Sequence, residues 1–316
     1  DYLLSVKKSL DNIENQENVI IDICFNMNQG LEKVDENKTS IGKLKDDFNY
    51  ILKDVFGWEP RFMDCGENKY DIRLVEHNKG IYTIADYRRE FNDKYCTEVD
   101  VLMWGESDAL IPSQTWEVLD NLHLASINNG VHKYVSFFAT CKMWDDTWKI
   151  LEHPKFTDKP FIEMDTENWW SLRYNMNQEE MDNINNETEE LDIQQTTRLK
   201  FNGCGLVISS DVIKSGANIP KSVFFVHEDT AFMNNCLIHF RNQLPQYIIK
   251  NILLVHNRKL PNKRMYIKGQ DVQDGDMTEM RKKQYWFSNA DKMSQMNAFN
   301  TTEQGYTYSW DDVFRE

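Results

Sequence analysis

The chain has little of what would set it apart from ordinary globular proteins. Its 316 residues include only 7 prolines and 13 glycines, too few for a low-complexity or collagen-like segment. No apolar run reaches the roughly eighteen residues that a membrane-spanning helix needs. The opening, Asp1-Tyr-Leu-Leu-Ser-Val-Lys-Lys8, lacks the basic-then-apolar layout of a secretory signal. None of the 6 cysteines stands in Cys-x-x-Cys spacing, which argues against a zinc site. Several lie in apolar stretches, as buried free thiols do, and a reducing, cytoplasmic compartment is the simplest fit. Positive charge is scarce as well. Lys and Arg total 36 against 51 Asp and Glu, a net charge of -15. That field repels phosphate polymers at long range and argues against nucleic acid as a partner. A small anionic ligand is still possible, because a metal or a local basic pocket can hold it.

What is present suits a sizeable core: 41% hydrophobic and 12% aromatic residues. Leu3, Leu4, Val6, Leu10 and Ile13 have helical spacing, which predicts a helix from Tyr2 to Ile13. Val19 to Phe25 reads as a strand ending in a turn at Asn26 to Gly30. Further helices are predicted at Ile41 to Val55, Thr83 to Tyr95 and Thr115 to Leu124. Further strands are predicted at Asp71 to Val75, Val99 to Met103 and Lys133 to Thr140. Alternating strands and helices predict an α/β fold with a mostly parallel sheet. A helix ahead of the first strand implies that the usual first strand of such a unit is missing. Residues 175 to 195 are acidic, rich in Asn and Gln, and nearly free of large apolar side chains. They read as a solvated helix or loop, or as a lid beside a site.

The most informative stretch is Val101-Leu-Met-Trp-Gly-Glu-Ser-Asp-Ala-Leu-Ile-Pro112. An apolar run enters Glu106-x-Asp108 and stops at a proline, which cannot extend a ladder. An ionised carboxylate is costly to bury unless it is paired or bound to a cation. Acidic oxygens at a strand's end suit a hard divalent ion shared with phosphates. An acidic surface turn is the plainer alternative.

Other segments carry candidate chemistry. Glu228-Asp229 follows an apolar run and opens a predicted helix, Thr230 to Phe240, where Asp229 could act simply as the N-cap. His256 ends the apolar run Ile252 to Val255, a place where a lone His is often a structural hydrogen-bonding residue. Arg258, Lys259, Lys263 and Arg264 follow at once, either as an exposed basic loop or as a clamp on a diphosphate. Gly203 and Gly205 flank Cys204 on a predicted strand, where glycine suits close approach of a ligand.

In their order these segments resemble the GT-A glycosyltransferases, particularly the inverting family 2 type. The resemblance runs from about Asp1 to Arg264 through short motifs, each unspecific alone. It implies a GT-A-like, Rossmann-like catalytic domain over residues 1–268, with 168–198 as an acidic insertion or lid. Residues 269–316 would form a C-terminal extension packed on that core. The implied donor is a nucleotide-diphosphate sugar, the acceptor a glycan or other hydroxyl, and the cofactor Mn²⁺ or Mg²⁺. Asp108 would bind the metal, with Glu106 in the ribose or metal shell and His256 as a late ligand. Asp229 would be the general base, with Glu228 in reserve. Arg258, Lys263 and Arg264 would hold the diphosphate, and Gly203 would wall the donor sugar. Asn26, Asn78 and Gly80 would line the nucleotide pocket. The chain departs from the family at Glu106, where Asp is usual, and at Asn26, where a carboxylate is usual. A nucleotidyltransferase and a non-catalytic glycan-binding protein on the same fold are the alternatives.

Overall fold

The computed structural model describes residues 2–14, 18–26, 46, 50–55, 57, 70–75, 83–107, 109–139, 177–196, 203–221, 223, 227–255, 289 and 292. Among these, the side chains of 25, 26, 51, 55 and 70–75 are not described. The expected extension, 269–316, lies outside the described residues apart from 289 and 292.

The helices are α1 (Tyr2–Asp11), α2 (Ile84–Tyr95), α3 (Thr115–Asn128), α4 (Gln178–Asn185), α5 (Ser210–Lys214) and α6 (Glu228–His239). The strands are β1 (Ile21–Asn26), β2 (Tyr70–Val75), β3 (Val101–Met103), β4 (Val135–Ala139), β5 (Ile193–Gln195), β6 (Val207–Ser209) and β7 (Gln246–Leu253). A short π-helical turn covers Ile51–Val55.

The fold is α/β. The larger sheet has 5 strands in the order β3-β6-β4-β7-β5, and β1 and β2 form a separate parallel pair. The larger sheet is mixed, which corrects the mostly parallel expectation. β4 and β7 are parallel, while β3–β6, β4–β6 and β5–β7 are antiparallel. Alternation of strands with helices was the cue for a parallel sheet. Here β6 lies between β3 and β4 and runs against both, and β5 lies at the edge, antiparallel to β7. Because β6 runs against both β3 and β4, and β7 runs with β4, strands β3, β4 and β7 share one direction. Their carboxyl ends therefore lie at one edge of the sheet.

Period-two alternation divides the core into two layers. Leu102, Val135, Phe137 and Ile208 join one layer with Ala85 and Tyr95 of α2 and Phe232 and Met233 of α6. Phe138, Val207, Ile249 and Ile252 join the other with Val6 and Leu10 of α1 and Val118, Leu119 and Leu122 of α3. All five residues of β4 are buried. Fully burying one Phe or Leu side chain contributes about 1.5–3 kcal/mol, so the central strand is a main source of stability. Among the described residues, no helix is long and apolar enough to cross a membrane.

The acidic stretch is built into this fold where it is described. Asn177 and Glu180 form a capping box at the start of α4. Met181, Asp182 and Asn185 are buried, and β5 forms the edge strand beside β7. Asp182 accepts hydrogen bonds from the Ser113 amide at 3.1 Å and the Ser113 hydroxyl at 2.5 Å, and pairs with Lys8 at 2.7 Å. Asn185 accepts from the Leu253 amide at 2.7 Å and donates to the Leu253 carbonyl at 3.0 Å.

Those last two bonds satisfy buried backbone groups at the end of β7. Replacing Asn185 by Ala leaves both without this partner, at about 1–3 kcal/mol for each unsatisfied group. Denaturant titration of Asn185→Ala should show a loss of roughly that size. A loss below about 0.5 kcal/mol, ordinary for an unremarkable surface position, would contradict this account of α4.

Candidate functional site

The site is organised by a residue of α2. Thr83 and Asp86 form a capping box that starts this helix, with the Thr83 amide donating to Asp86 Oδ2 at 3.0 Å. Ala85, Arg88, Asn92 and Tyr95 then form its buried face. Asn92 accepts from Trp104 Nε1 at 3.0 Å, which fixes the indole just beyond β3. The Arg88 guanidinium carbon lies 4.8 Å from the centroid of the Trp104 ring, a cation–π distance. Arg88 itself is 2% exposed.

Four sequence-predicted site residues converge on Arg88. Its Nη1 donates to Glu228 Oε1 at 2.6 Å, and its Nη2 donates to Glu106 Oε1 at 3.0 Å. Nη2 also meets the carbonyls of Gly203 at 3.1 Å and Gly105 at 3.3 Å. A Cβ added to Gly203 would stand 2.6 Å from Arg88 Nη1, and 3.3 Å from both Asp229 Cβ and Glu106 Oε1. Gly203 thus faces Arg88, Glu106 and Asp229 at once, and a larger residue there would collide with the guanidinium. Gly203 and Gly205 lie in a turn ahead of β6, correcting the strand expected for them. The turn needs Gly205, whose φ is 68°, and it is held where the Gly205 amide donates to the Trp104 carbonyl at 3.0 Å.

Glu228 and Asp229 occupy the first turn of α6, after His227 at the N-cap with φ 65°. This corrects the helix start expected at Thr230 and the N-cap role considered for Asp229. Acidic side chains are favoured in a helix's first turn by its exposed N–H groups. Asp229 Oδ1 accepts from the Thr230 amide at 2.6 Å.

Among the described residues, the electrostatics follow from Arg88 facing several carboxyls. Burial works against the charge on Arg88, but Glu228 and Glu106 outweigh it and raise its pKa. Burial pushes the Glu228 carboxyl up to about 7; Arg88 pulls it down, and neighbouring Asp229 pushes it up further. Tyr2 reaches the same region from α1. A Cβ on Gly105 would stand 1.8 Å from its hydroxyl oxygen, so Gly105 makes room for the ring. Burial raises the Tyr2 pKa, with Cys204 adding to the effect.

The segment beyond Glu106 is tied down on several sides. The Ala109 amide donates to the Glu106 carbonyl at 3.1 Å. The Leu110 amide donates to the Val255 carbonyl at 2.8 Å, and the two residues form an antiparallel bridge. Ser5 of α1 accepts from the Ile111 amide at 3.1 Å.

Asp108, His256, Asn78, Gly80, Arg258, Lys263 and Arg264 lie outside the described residues, as does the side chain of Asn26. Among the described residues, no three His, Cys, Asp or Glu come together as a metal's ligand set. Asp86 and Arg89, near the expected nucleotide loop, do structural work. Arg89 binds Asp86 at 2.9 Å and donates to the carbonyls of Ile219, Pro220 and Val223 at 2.8–2.9 Å. Sequence reasoning missed Arg88, although the 85, 88, 92, 95 spacing of the α2 face contained the signal.

No protein-family model and no curated protein matches this chain. The functional reading therefore rests on the chemistry of the site and on the motif order.

The raised Glu228 pKa has a measurable result. Between pH 4.5 and about 7, the folded chain holds a proton on Glu228 that the unfolded chain has lost. Stability is therefore favoured below that window and falls as pH rises through it. Chemical denaturation of wild type and Glu228→Gln across the window should show the wild type losing stability relative to the variant. Parallel curves would mean that Glu228 titrates as an ordinary carboxylate.

Proposed function

We propose that this chain is a metal-dependent glycosyltransferase, moving a sugar from a nucleotide-diphosphate donor to an acceptor hydroxyl by inverting displacement. The observation that carries the reading is the meeting of Glu106, Gly203, Glu228 and Asp229 at Arg88, from segments far apart in sequence. The Leu110–Val255 bridge adds support. It joins the chain two residues after Asp108 to the chain one residue before His256.

Among the described residues, Glu106, Glu228 and Asp229 gather around one guanidinium, and carboxylate oxygens suit a hard divalent ion such as Mn²⁺ or Mg²⁺. On this reading Asp108 and His256 hold it, with Glu106 beside them. When bound, the cation offsets charge gathering on the leaving diphosphate. The chain's own groups supply the rest. Asp229 takes the proton of the acceptor hydroxyl, and Glu228 stands next to it on the same helical turn. Arg258, Lys263 and Arg264 bind the diphosphate, and Asn26, Asn78 and Gly80 line the nucleotide pocket. Arg88 fixes Glu106 and Glu228 in one frame, so that donor and acceptor groups are held in line. The acceptor is a glycan or another hydroxyl compound.

The test combines binding with turnover. UDP or GDP should raise the thermal midpoint in the presence of Mn²⁺ and have little effect without it, because only a ligand bound to the folded state stabilises it. In a donor-hydrolysis and transfer screen, Asp229→Asn should lower turnover about 10²–10⁴-fold with donor binding unchanged. Absence of any metal-dependent shift with every nucleoside diphosphate would overturn the reading. A near wild-type rate for Asp229→Asn would remove the base assignment alone.

A further inference from the structure

We infer that a cationic pocket at the amino-terminal edge of β4 and β7 binds a small organic phosphate, a phosphate monoester on an apolar or aromatic body. The pocket does not depend on the glycosyl-transfer reading. Glu106 follows the carboxyl end of β3, which runs the same way as β4 and β7, so the two places lie at opposite edges of the sheet. The Val135 amide, at the start of β4, donates to the Pro245 carbonyl, just ahead of β7, at 3.1 Å. Beside this junction is a cavity of about 340 Å³. Ligand pockets run from about 300 to 1,000 Å³, so this one suits a small molecule. Lys133, His239, Arg241 and Gln243 line it with polar groups, and Phe240 and Leu244 with apolar surface. Phe240 and Leu244 pack on the core layer of α2 and α6, and the Phe240 ring meets the His239 ring edge-on at 4.8 Å.

Two observations set these cations apart from ordinary surface charge. In a chain of net charge -15, Lys133 and Arg241 share one cavity, are exposed, and have no ion-pair partner among the described residues. The second observation is the backbone. α6 ends in a Schellman turn: the Asn242 amide donates to the Leu237 carbonyl at 3.0 Å, and the Arg241 amide to the Ile238 carbonyl at 3.4 Å. The residue after the cap then turns left-handed, and glycine is its usual occupant. Here it is Arg241, with φ 50°, followed by Asn242, with φ 61°. Asparagine tolerates that conformation, whereas the Cβ of arginine is strained in it. An arginine kept where glycine is less strained points to a use for its guanidinium. Capping α6 is not that use, since backbone amides already take the Leu237, Ile238 and Phe240 carbonyls.

The lining selects the ligand class. A phosphate monoester carries a charge of about -1.5 to -2 near neutral pH and three acceptor oxygens. The planar fork of Arg241 and the ammonium of Lys133 match that charge, and His239 and Gln243 add N–H donors. A carboxylate, with a single charge, needs only one of the two cations. Phe240 and Leu244 leave apolar surface for the rest of the molecule.

Calorimetry on the whole chain near neutral pH, with phenyl phosphate as the probe, should give a Kd below about 1 mM. Benzoate lacks the second charge and inorganic phosphate lacks the apolar body, so each should bind at least about fivefold more weakly. Lys133→Gln and Arg241→Gly should each weaken phenyl phosphate binding at least about fivefold, through loss of a charge-assisted hydrogen bond. Arg241→Gly should also raise the thermal midpoint, because glycine fits the left-handed position. Weaker binding together with higher stability is a result that a merely structural arginine would not give. Absence of phenyl phosphate binding by wild type would overturn the inference. Unchanged binding by either folded variant would also overturn it, by placing the probe elsewhere on the chain. Benzoate or inorganic phosphate binding as tightly as phenyl phosphate would overturn the ligand class.

Discussion

Arg88 donates to Glu228 at 2.6 Å and to Glu106 at 3.0 Å from a position almost closed to water. A buried cation is tolerable only when paired and hydrogen-bonded, and removing one partner of such a pair costs about 3–5 kcal/mol. The arrangement of the site follows from satisfying this group. Its carboxyl partners come from the end of β3 and the start of α6, and its carbonyl partners from Gly105 and Gly203. Trp104 lies against it and is itself fixed by Asn92, one turn further along α2. The segment beyond β3, the Gly203 turn and the start of α6 are therefore anchored to the same few atoms.

The sheet determines where those atoms lie. Strands β3, β4 and β7 run in one direction, so their carboxyl ends share an edge. Open α/β sheets place ligands at such edges. The segment after β3 is held there from both sides, by the Leu110–Val255 bridge and by the α1 side chains Tyr2 and Ser5. Asp182 of α4 fixes the next turn through Ser113. Packing from α1 and α4 thus makes a rigid support for a loop that carries acidic residues, and a rigid support is what precise positioning requires.

Much of this was legible in the residues. Apolar runs located β3 and β4, and helical spacing located α1, α2 and α3 to within a few positions. Glu106, Gly203, Glu228 and Asp229 were singled out from strand ends, glycine placement and motif order, and they come together. Strand direction was not legible, because burial on both faces produces the same apolar run in either orientation. The start of α6 was misplaced because the chain enters it through His227 in a left-handed conformation, which composition does not announce. The acidic stretch read as a solvated helix or loop, or as a lid, because its composition is polar. Its anchoring comes from Asp182 and Asn185, whose bonds to distant backbone cannot be read locally. Arg88 was passed over because arginine on a helix is ordinarily exposed. Its place between Ala85 and Asn92 on the buried face was the one cue to the exception.

The most direct test of the central claim is the position of a bound cation. A crystal structure of the chain with Mn²⁺ and a nucleoside diphosphate should give an anomalous peak at the carboxyl edge of β3 and β7. That peak should lie within ligand distance of Asp108 or Glu106, with Arg88 still bound to Glu228. A peak at any other part of the chain, with Glu106 and Glu228 both still bound to Arg88, would contradict the account.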